Sequence, residues 1–210
     1  MEWFNLFALE TRGYIREVSF EPIINLLLKK STSATLAQCL IKRWWDITYT
    51  FHIAEWEMTV TPYDLYHMIS LSFEGVITSF NGVSGIQLGI DMLGRKYSMK
   101  TIHYFDLVLY YMFFPQRTME ECVHMARAFL LHLLGAYLFD NGGRTMSLRW
   151  LTLFKDFREA RRANLRQACL AYLYSTLDTL SWGTLWQHVG LWKLLEVNSL
   201  FFLYTFICSS

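Results

Sequence analysis

Residues 118–139, TMEECVHMARAFLLHLLGAYLF, predict one long α-helix at the centre of the fold. Thr118 can act as the N-cap, and Glu120 and Glu121 follow in the first turn, where acidic side chains stabilise a helix. The residues after them are apolar nearly all round, which is typical of a helix that is buried on every side. We therefore expect the other elements to pack around this helix.

Several further segments have the apolar spacing of helices. They are residues 21–30, 33–45, 61–71, 102–114, 147–162 and 165–180, of which the last two form either two helices or one broken helix. Residues 81–99 hold four glycines and little helical period, so a long loop is expected there. Because no strand–helix–strand alternation occurs, the sequence predicts a single α-helical domain.

One β-hairpin is predicted near residues 49–60, where β-branched and aromatic residues alternate with others. In such a hairpin His52 and Glu57 can approach each other across the strands. They then form either a structural contact, which we favour, or an acid–base pair. The next helix should begin at Thr61, with Asp64 three residues later as its capping acid, and Gly75 should end this unit with a positive φ angle.

Composition limits the class of protein. Nineteen Lys and Arg residues against eighteen Asp and Glu residues give a net charge of +1, which supplies no overall attraction to nucleic acid or to an anionic membrane. The four cysteines are far apart and are expected to be reduced thiols of a cytosolic or nuclear protein. No secretory signal is evident, and the apolar runs are shorter than the roughly 20 residues of a membrane helix, so no membrane association is expected.

Motifs of catalysis are weak throughout. Glu121 and His124 form a Glu-x-x-His pair, but di-iron sites need two such pairs and further carboxylates, so we expect a capped helix turn and no metal. A hydrolase or metal enzyme built on His52, Glu57 and His67 is the least favoured hypothesis, because no nucleophile lies nearby. The GVSGI sequence at 82–86 lacks the final glycine of a nucleophile elbow, and no nucleotide-binding loop is present.

A basic segment offers an alternative function. Lys155, Arg158, Arg162 and Arg166 fall near one helical stripe, and that face could follow a phosphate backbone. We favour a solvated helix face with ion pairs such as Lys155–Glu159 and Glu159–Arg162 over nucleic-acid contact, because no DNA-binding motif accompanies the stripe.

Two blocks of the sequence resemble the plant mobile domain family, which is also labelled aminotransferase-like or MAIN-like. The first block is LIKRWWDITYTFHIAEWEMTVTPYDLYHMISLSFEG, and the second is ARAFLLHLLGAYLFDNGGRTMSLRWLTLFKDF together with ACLAYLYSTL. The matching positions that we expect to be structural are Trp44, Phe51, His52, Glu57, Thr59, Asp64, Gly75, Arg127, Gly135, Trp150 and Asp156.

The resemblance implies a non-enzymatic interaction domain without a cofactor. It further implies a nuclear protein (a cytoplasmic one being the alternative) that is connected with meristem maintenance, genome integrity and transposon silencing, with a phosphoprotein-phosphatase-like partner. Members also occur in transposable elements, so a transposon-derived nucleic-acid-binding module is the alternative.

The end of the chain departs from the family pattern. The family's late Trp-x-Trp-Glu block is missing, and an apolar sequence stands in its place. We therefore expect a plant mobile domain over residues 1–198, truncated at its C-terminus, and an atypical apolar tail over residues 199–210.

Overall fold

The computed structural model describes residues 2–27, 34–69, 75, 80, 82–139 and 143–183. Most of these residues are helical. The α-helices are α1 (Glu2–Asn5), α2 (Leu9–Glu17), α3 (Glu21–Leu27), α4 (Ala34–Ile41), α5 (Pro62–Ile69), α6 (Gly85–Leu93), α7 (Tyr104–Tyr111), α8 (Met119–Leu133), α9 (Phe157–Arg162) and α10 (Leu165–Ser181). A π-helix (Leu134–Leu138) continues α8, and a 3₁₀-helix (Leu148–Phe154) precedes α9. The predicted mainly α-helical class is confirmed.

Helix α8 lies at the centre of the core, as its sequence predicts. Met125, Phe129 and Leu130 are fully buried within it. Its N-terminus has the complete capping box: the Glu121 backbone N–H donates to Thr118 Oγ1, and the Thr118 backbone N–H donates to the Glu121 carboxylate. These two bonds satisfy donors that the first helical turn would otherwise leave free.

The strands form two small antiparallel sheets. β1 (Trp44–Trp45), β2 (Thr50–Ile53) and β3 (Trp56–Met58) make the first sheet in that order, and β4 (Thr101–His103) pairs with β5 (Thr145–Ser147) in the second. The predicted hairpin is confirmed, with His52 opposite Glu57 in its register. The prediction of a single hairpin is incomplete, since β1 adds a third strand and the second sheet was not expected.

The loop predicted over residues 81–99 is wrong, because α6 occupies its middle. Ser84 accepts a hydrogen bond from the Gln87 backbone N–H at the start of α6, and Gly94, with a φ of 65°, ends the helix. A Cβ on Gly89 would collide with the Tyr97 ring. Glycine at this position therefore permits close packing of a helix and does not mark a turn.

The bounds of two further helical segments differ from those predicted from the sequence. The helix predicted over 102–114 is shorter, because residues 101–103 pair with β5 and α7 begins at Tyr104. The segment 147–180 is divided into a 3₁₀-helix and two α-helices, and the extended backbone of Ala163 separates α9 from α10. The boundary predicted between residues 198 and 199 lies outside the described residues.

Candidate functional site

The three-stranded sheet is held on helix α10 by buried and half-buried polar groups. The indole Nε1 of Trp44 donates to the Asp178 carboxylate at 2.7 Å. The Tyr174 hydroxyl donates to the Val60 carbonyl at 2.7 Å and lies 3.0 Å from the Thr59 hydroxyl. Phe51 packs edge-on against the Trp44 ring. Trp44, Phe51 and Thr59 thus join the sheet to α10 and to each other.

Replacing Trp44 with phenylalanine should destabilise the protein by about 1–3 kcal/mol, because the half-buried Asp178 carboxylate loses its donor. Trp182→Phe is the matched control. Its Nε1 also donates to a carboxylate, that of Asp46, but the Trp182 side chain is exposed. We expect a loss below about 1 kcal/mol for this control. Urea unfolding of both variants measures the difference, and equal losses would contradict the role assigned to the Trp44–Asp178 bond.

His52 and Glu57 face each other but do not form a hydrogen bond. The His52 Nε2 atom lies 3.8 Å from the Glu57 carboxylate and has no hydrogen-bond partner among the described residues. The imidazole instead stacks on the Trp45 indole at 4.2 Å between ring centroids. Asp64 caps α5, since its carboxylate accepts from the backbone N–H of Thr61 at 2.7 Å.

His67 and His132 make contacts with aromatic rings. His67 is exposed and touches the rings of Tyr63 and Tyr66. Burial lowers the pKa of His132, whose Nδ1 lies 2.8 Å from the Tyr104 carbonyl oxygen. A neutral imidazole there donates one hydrogen bond and is otherwise surrounded by aromatic rings.

The Glu121-x-x-His124 pair does not converge on a common point. The Glu121 carboxylate is engaged by the backbone N–H groups of Arg117 and Thr118. His124 is buried beside Gly94, and this burial lowers its pKa. Across the part of the chain that the structure describes, no group of three or more metal-ligating side chains is assembled.

Arg127 and Asp156 form the joint between the 3₁₀-helix and α9. The Arg127 guanidinium, on α8, donates to the carbonyls of Phe154 and Lys155 at 3.0 and 3.3 Å. The Asp156 carboxylate then caps α9 by accepting from the Arg158 backbone N–H at 2.8 Å. Together they satisfy backbone groups that the change of helix type leaves without partners.

Close packing explains three further motif positions. Gly135 and Gly75 leave no room for a Cβ, and Trp150 stacks on another ring. A Cβ on Gly135 would lie 3.0 Å from the Tyr104 ring and 3.2 Å from Met146. Trp150 stacks on Phe139 at 4.8 Å between ring centroids. A Cβ on Gly75 would overlap the backbone carbonyl of Arg162. Residues 70–74 lie outside the described part, so the predicted helix end near Gly75 stays a prediction. The positive φ predicted for Gly75 is wrong, because among the described glycines only Gly82, Gly94 and Gly183 have one.

The basic residues do not share one helical stripe. Lys155 precedes α9, Arg158 and Arg162 lie on it, and Arg166 lies on α10 after the break in the helix. Arg166 is buried, with its guanidinium 4.9 Å from the centre of the Tyr66 ring. The predicted helical stripe is therefore wrong, because the break at Ala163 places Arg166 on a different helix from Arg158 and Arg162.

The expected ion pairs are only partly present. Arg162 bonds Glu159 at 2.9 Å. Lys155 lies before the N-cap of α9, outside the helical spacing that a Lys155–Glu159 pair requires. Of the four proposed contact residues, Lys155, Arg158 and Arg162 are exposed, and Arg162 is already paired with Glu159. Contact of these residues with nucleic acid remains a prediction.

An exposed apolar ridge along α7 and the turn after it was not anticipated; Phe105 and Leu109 lie on the helix, and Phe113 lies two residues after its end. Phe105, Leu109 and Phe113 recur every four residues, and their exposed fractions are 51%, 75% and 86%. We call these three residues the α7 ridge. Their spacing is visible in the sequence, but Leu107 and Tyr111 on the same segment are buried, so periodicity alone predicts a core helix.

The fold and these contacts define a mainly α-helical domain whose motif residues make architectural contacts. The chain belongs to the plant mobile domain family, whose profile matches residues 23–205. It is 29% identical to the protein MAIN-LIKE 1 of Arabidopsis thaliana over 96% of this chain and 40% of that protein. It is 27% identical to the protein MAINTENANCE OF MERISTEMS of the same plant over 72% of this chain and 34% of that protein.

A third relative has a different name. The chain is 28% identical to the serine/threonine-protein phosphatase 7 long form homolog of Arabidopsis thaliana, over 77% of this chain and 13% of that protein. The chain thus spans less than half the length of each of these relatives. No solved structure matches it significantly. Among the described helices, none combines the length and apolar character needed to cross a bilayer.

Proposed function

We propose that this chain is a non-enzymatic protein-interaction domain of a plant nuclear protein of the MAIN-like class. The observation that carries the proposal is the α7 ridge, which exposes three large apolar side chains at helical spacing. Exposed apolar surfaces of this kind mark contact sites for other proteins. The family resemblance connects the function with meristem maintenance, genome integrity and transposon silencing, and one relative is named for the maintenance of meristems.

The roles of the polar motif residues in the described part of the chain support the non-enzymatic part of the proposal. Four side chains of the two motif blocks hold the three-stranded sheet, cap helices or join elements: Trp44, Asp64, Arg127 and Asp156. Such groups already have partners and leave little chemistry for a substrate. Cys122 and Cys169 are buried free thiols, and burial raises the pKa of Cys169, so it is a poor nucleophile.

The proposed partner is a phosphoprotein-phosphatase-like protein. A relative named as a phosphatase homolog contains a region similar to this chain within a much longer protein. When two proteins contain the same kind of domain, as this chain and the phosphatase homolog do, they often act together. Domains of one kind often associate through equivalent surfaces. The α7 ridge is the surface that we assign to this contact.

Co-purification of the full chain with the phosphatase 7 long form homolog tests the proposal. Leu109→Glu together with Phe113→Glu should reduce the amount recovered by about ten-fold or more, because two charges would be buried at the contact. Leu9→Glu is the matched control, since Leu9 is 80% exposed but lies on α2. No complex with the unaltered chain, or equal recovery with the ridge variant, would refute the proposed contact.

A further inference from the structure

The second sheet, β4 with β5, brings two basic segments of the chain together. Residues 92–105 and 143–155 contain six Lys and Arg residues and no Asp or Glu, in a chain whose charges nearly balance. All six of these side chains are exposed. They are Arg95, Lys96, Lys100, Arg144, Arg149 and Lys155. Because the paired strands lie more than forty residues apart in the sequence, this concentration of charge exists only in the folded chain.

Three of these cations lie at the two ends of the paired strands. Lys100 and Arg149 are at one end, where the Leu148 backbone N–H donates to the Lys100 carbonyl at 3.0 Å. Arg144 is at the other end, where its carbonyl accepts from the Tyr104 backbone N–H at 3.2 Å. An extended strand from Lys100 to Tyr104 spans roughly 14 Å. We call Lys100, Arg144, Arg149 and the two strands between them the basic ribbon.

The outward face of the basic ribbon is polar. Ile102 and Met146 are paired with each other and buried, so they define the inner face. Side chains alternate between the two faces along a strand, and paired residues share a face. The outward face therefore carries three hydroxyl residues and one histidine, which are Thr101 and His103 on β4 and Thr145 and Ser147 on β5. It holds no large apolar side chain.

Carboxylates do not neutralise the basic ribbon. Within the described part of the chain, Lys100, Arg144 and Arg149 form no ion pair. The described carboxylate nearest to the strands in sequence is Asp106, in the first turn of α7, and it pairs with none of the three. The N-terminus of α6 adds partial positive charge at the Lys100 end, since a Cβ on its first residue, Gly85, would lie 3.4 Å from the Lys100 carbonyl oxygen.

Arg144 keeps a large side chain at a backbone position that disfavours one. Its φ is 51°, in the left-handed region that glycine adopts most readily. A residue held in this region costs folding stability, and such residues cluster at sites that bind ligands. The guanidinium of Arg144 forms no hydrogen bond with a described residue that would explain its presence by the fold.

We propose that the basic ribbon binds the phosphate backbone of a nucleic-acid duplex without reading the base sequence. Lys100, Arg144 and Arg149 neutralise phosphates, and the hydroxyl groups of the outward face donate to phosphate oxygens. These observations favour a nucleic acid over an acidic protein, because protein contacts depend on buried apolar anchors and the outward face has none. The basic ribbon is distinct from the α7 ridge, so this inference does not rest on the proposed function.

Fluorescence anisotropy of the full chain with a short labelled DNA duplex of mixed sequence tests the proposal. Arg144→Gln with Arg149→Gln should weaken binding about ten-fold or more at about 0.1 M salt. The same variant should reduce the slope of log affinity against log salt concentration by about two, because two phosphate contacts are lost. Arg158→Gln with Arg161→Gln is the matched control, since it removes the same charge from exposed residues of α9 and should leave the slope unchanged.

Arg144→Gly separates a role in binding from a role in folding. Glycine relieves the left-handed backbone, so the melting temperature should be unchanged or higher. The affinity for the duplex should nevertheless fall about three-fold or more, because one cation is lost. A variant that melts at a lower temperature but binds the duplex as before would contradict the role assigned to Arg144.

Three results would overturn the proposal as a whole. They are no binding of the duplex by the unaltered chain, equal losses in the ribbon variant and the α9 control, and tighter binding of an acidic peptide of matched charge than of the duplex. Circular dichroism checks that each variant is folded. Phe113→Ala, which alters only the α7 ridge, should bind the duplex normally, so failure of the ridge contact and failure of this proposal are distinguishable.

Discussion

Phe129→Ala should reduce the free energy of unfolding by about 3–5 kcal/mol, the range found when a fully buried phenylalanine is truncated. The Phe129 ring lies in the middle of α8, is fully buried, and makes edge contacts with Trp3 at 5.3 Å and with Phe7 at 4.9 Å between ring centroids. Its removal leaves a cavity where the N-terminal helices meet α8. Urea unfolding monitored by circular dichroism measures the loss.

Phe113→Ala is the matched control for this experiment. The chemical change is identical, but Phe113 is 86% exposed, so truncation creates no cavity and should cost less than about 0.5 kcal/mol. If the two variants differed by less than about 1 kcal/mol, the central position of α8 would be contradicted. Phe113 lies in the α7 ridge, so the same variant should also weaken the proposed contact with the phosphatase homolog while leaving stability intact.

Gly75→Ala should destabilise the protein by about 3 kcal/mol or more, because the added methyl group would overlap a backbone carbonyl that cannot move as a side chain can. The carbonyl is that of Arg162, at the last residue of α9. The substitution therefore forces the segment at Gly75 and α9 apart. Thermal unfolding followed by circular dichroism is the measurement.

Gly13→Ala, in contrast, should increase the stability of the protein. Gly13 lies inside α2, and a Cβ there would meet nothing within 4 Å. Alanine at an exposed helical position stabilises by about 0.5–1 kcal/mol relative to glycine. A Gly75→Ala variant as stable as Gly13→Ala would show that the contact between Gly75 and Arg162 does not exist.

Features that depend on residues close together in the chain were predicted well from the sequence. The capping pairs Thr118–Glu121 and Thr61–Asp64 are three residues apart, so each is specified by its own segment. The hairpin register that places His52 opposite Glu57 likewise follows from a short connection between two strands. Local geometry leaves few alternatives at such separations.

Glycines and short strands were predicted poorly. Gly85 and Gly89 lie within α6, where Leu148 of the 3₁₀-helix packs closely against them. In the sequence they cannot be told from glycines that form turns. β4 and β5 have three residues each and pair over a separation of more than forty residues, as in Thr101 with Ser147. Neither strand is long enough to show an alternating pattern, so only the folded chain reveals the pairing.

The candidate surfaces needed the tertiary structure most. The basic residues appeared to share a stripe until the break at Ala163 placed Arg166 in the core beside Tyr66. Conversely, the apolar spacing of α7 predicted burial, whereas Phe105, Leu109 and Phe113 lie on the outside. A helix has several faces, and periodicity cannot say which of two apolar faces meets the core.

The sequence by itself determined the helical class, the central helix, the helix caps, the hairpin and the resemblance to the plant mobile domain family. These depend on composition and on residues a few positions apart, whose interactions hold wherever the segment lies. Only the tertiary structure decided which apolar and charged side chains are exposed, because exposure depends on the elements that pack over each residue from distant parts of the chain.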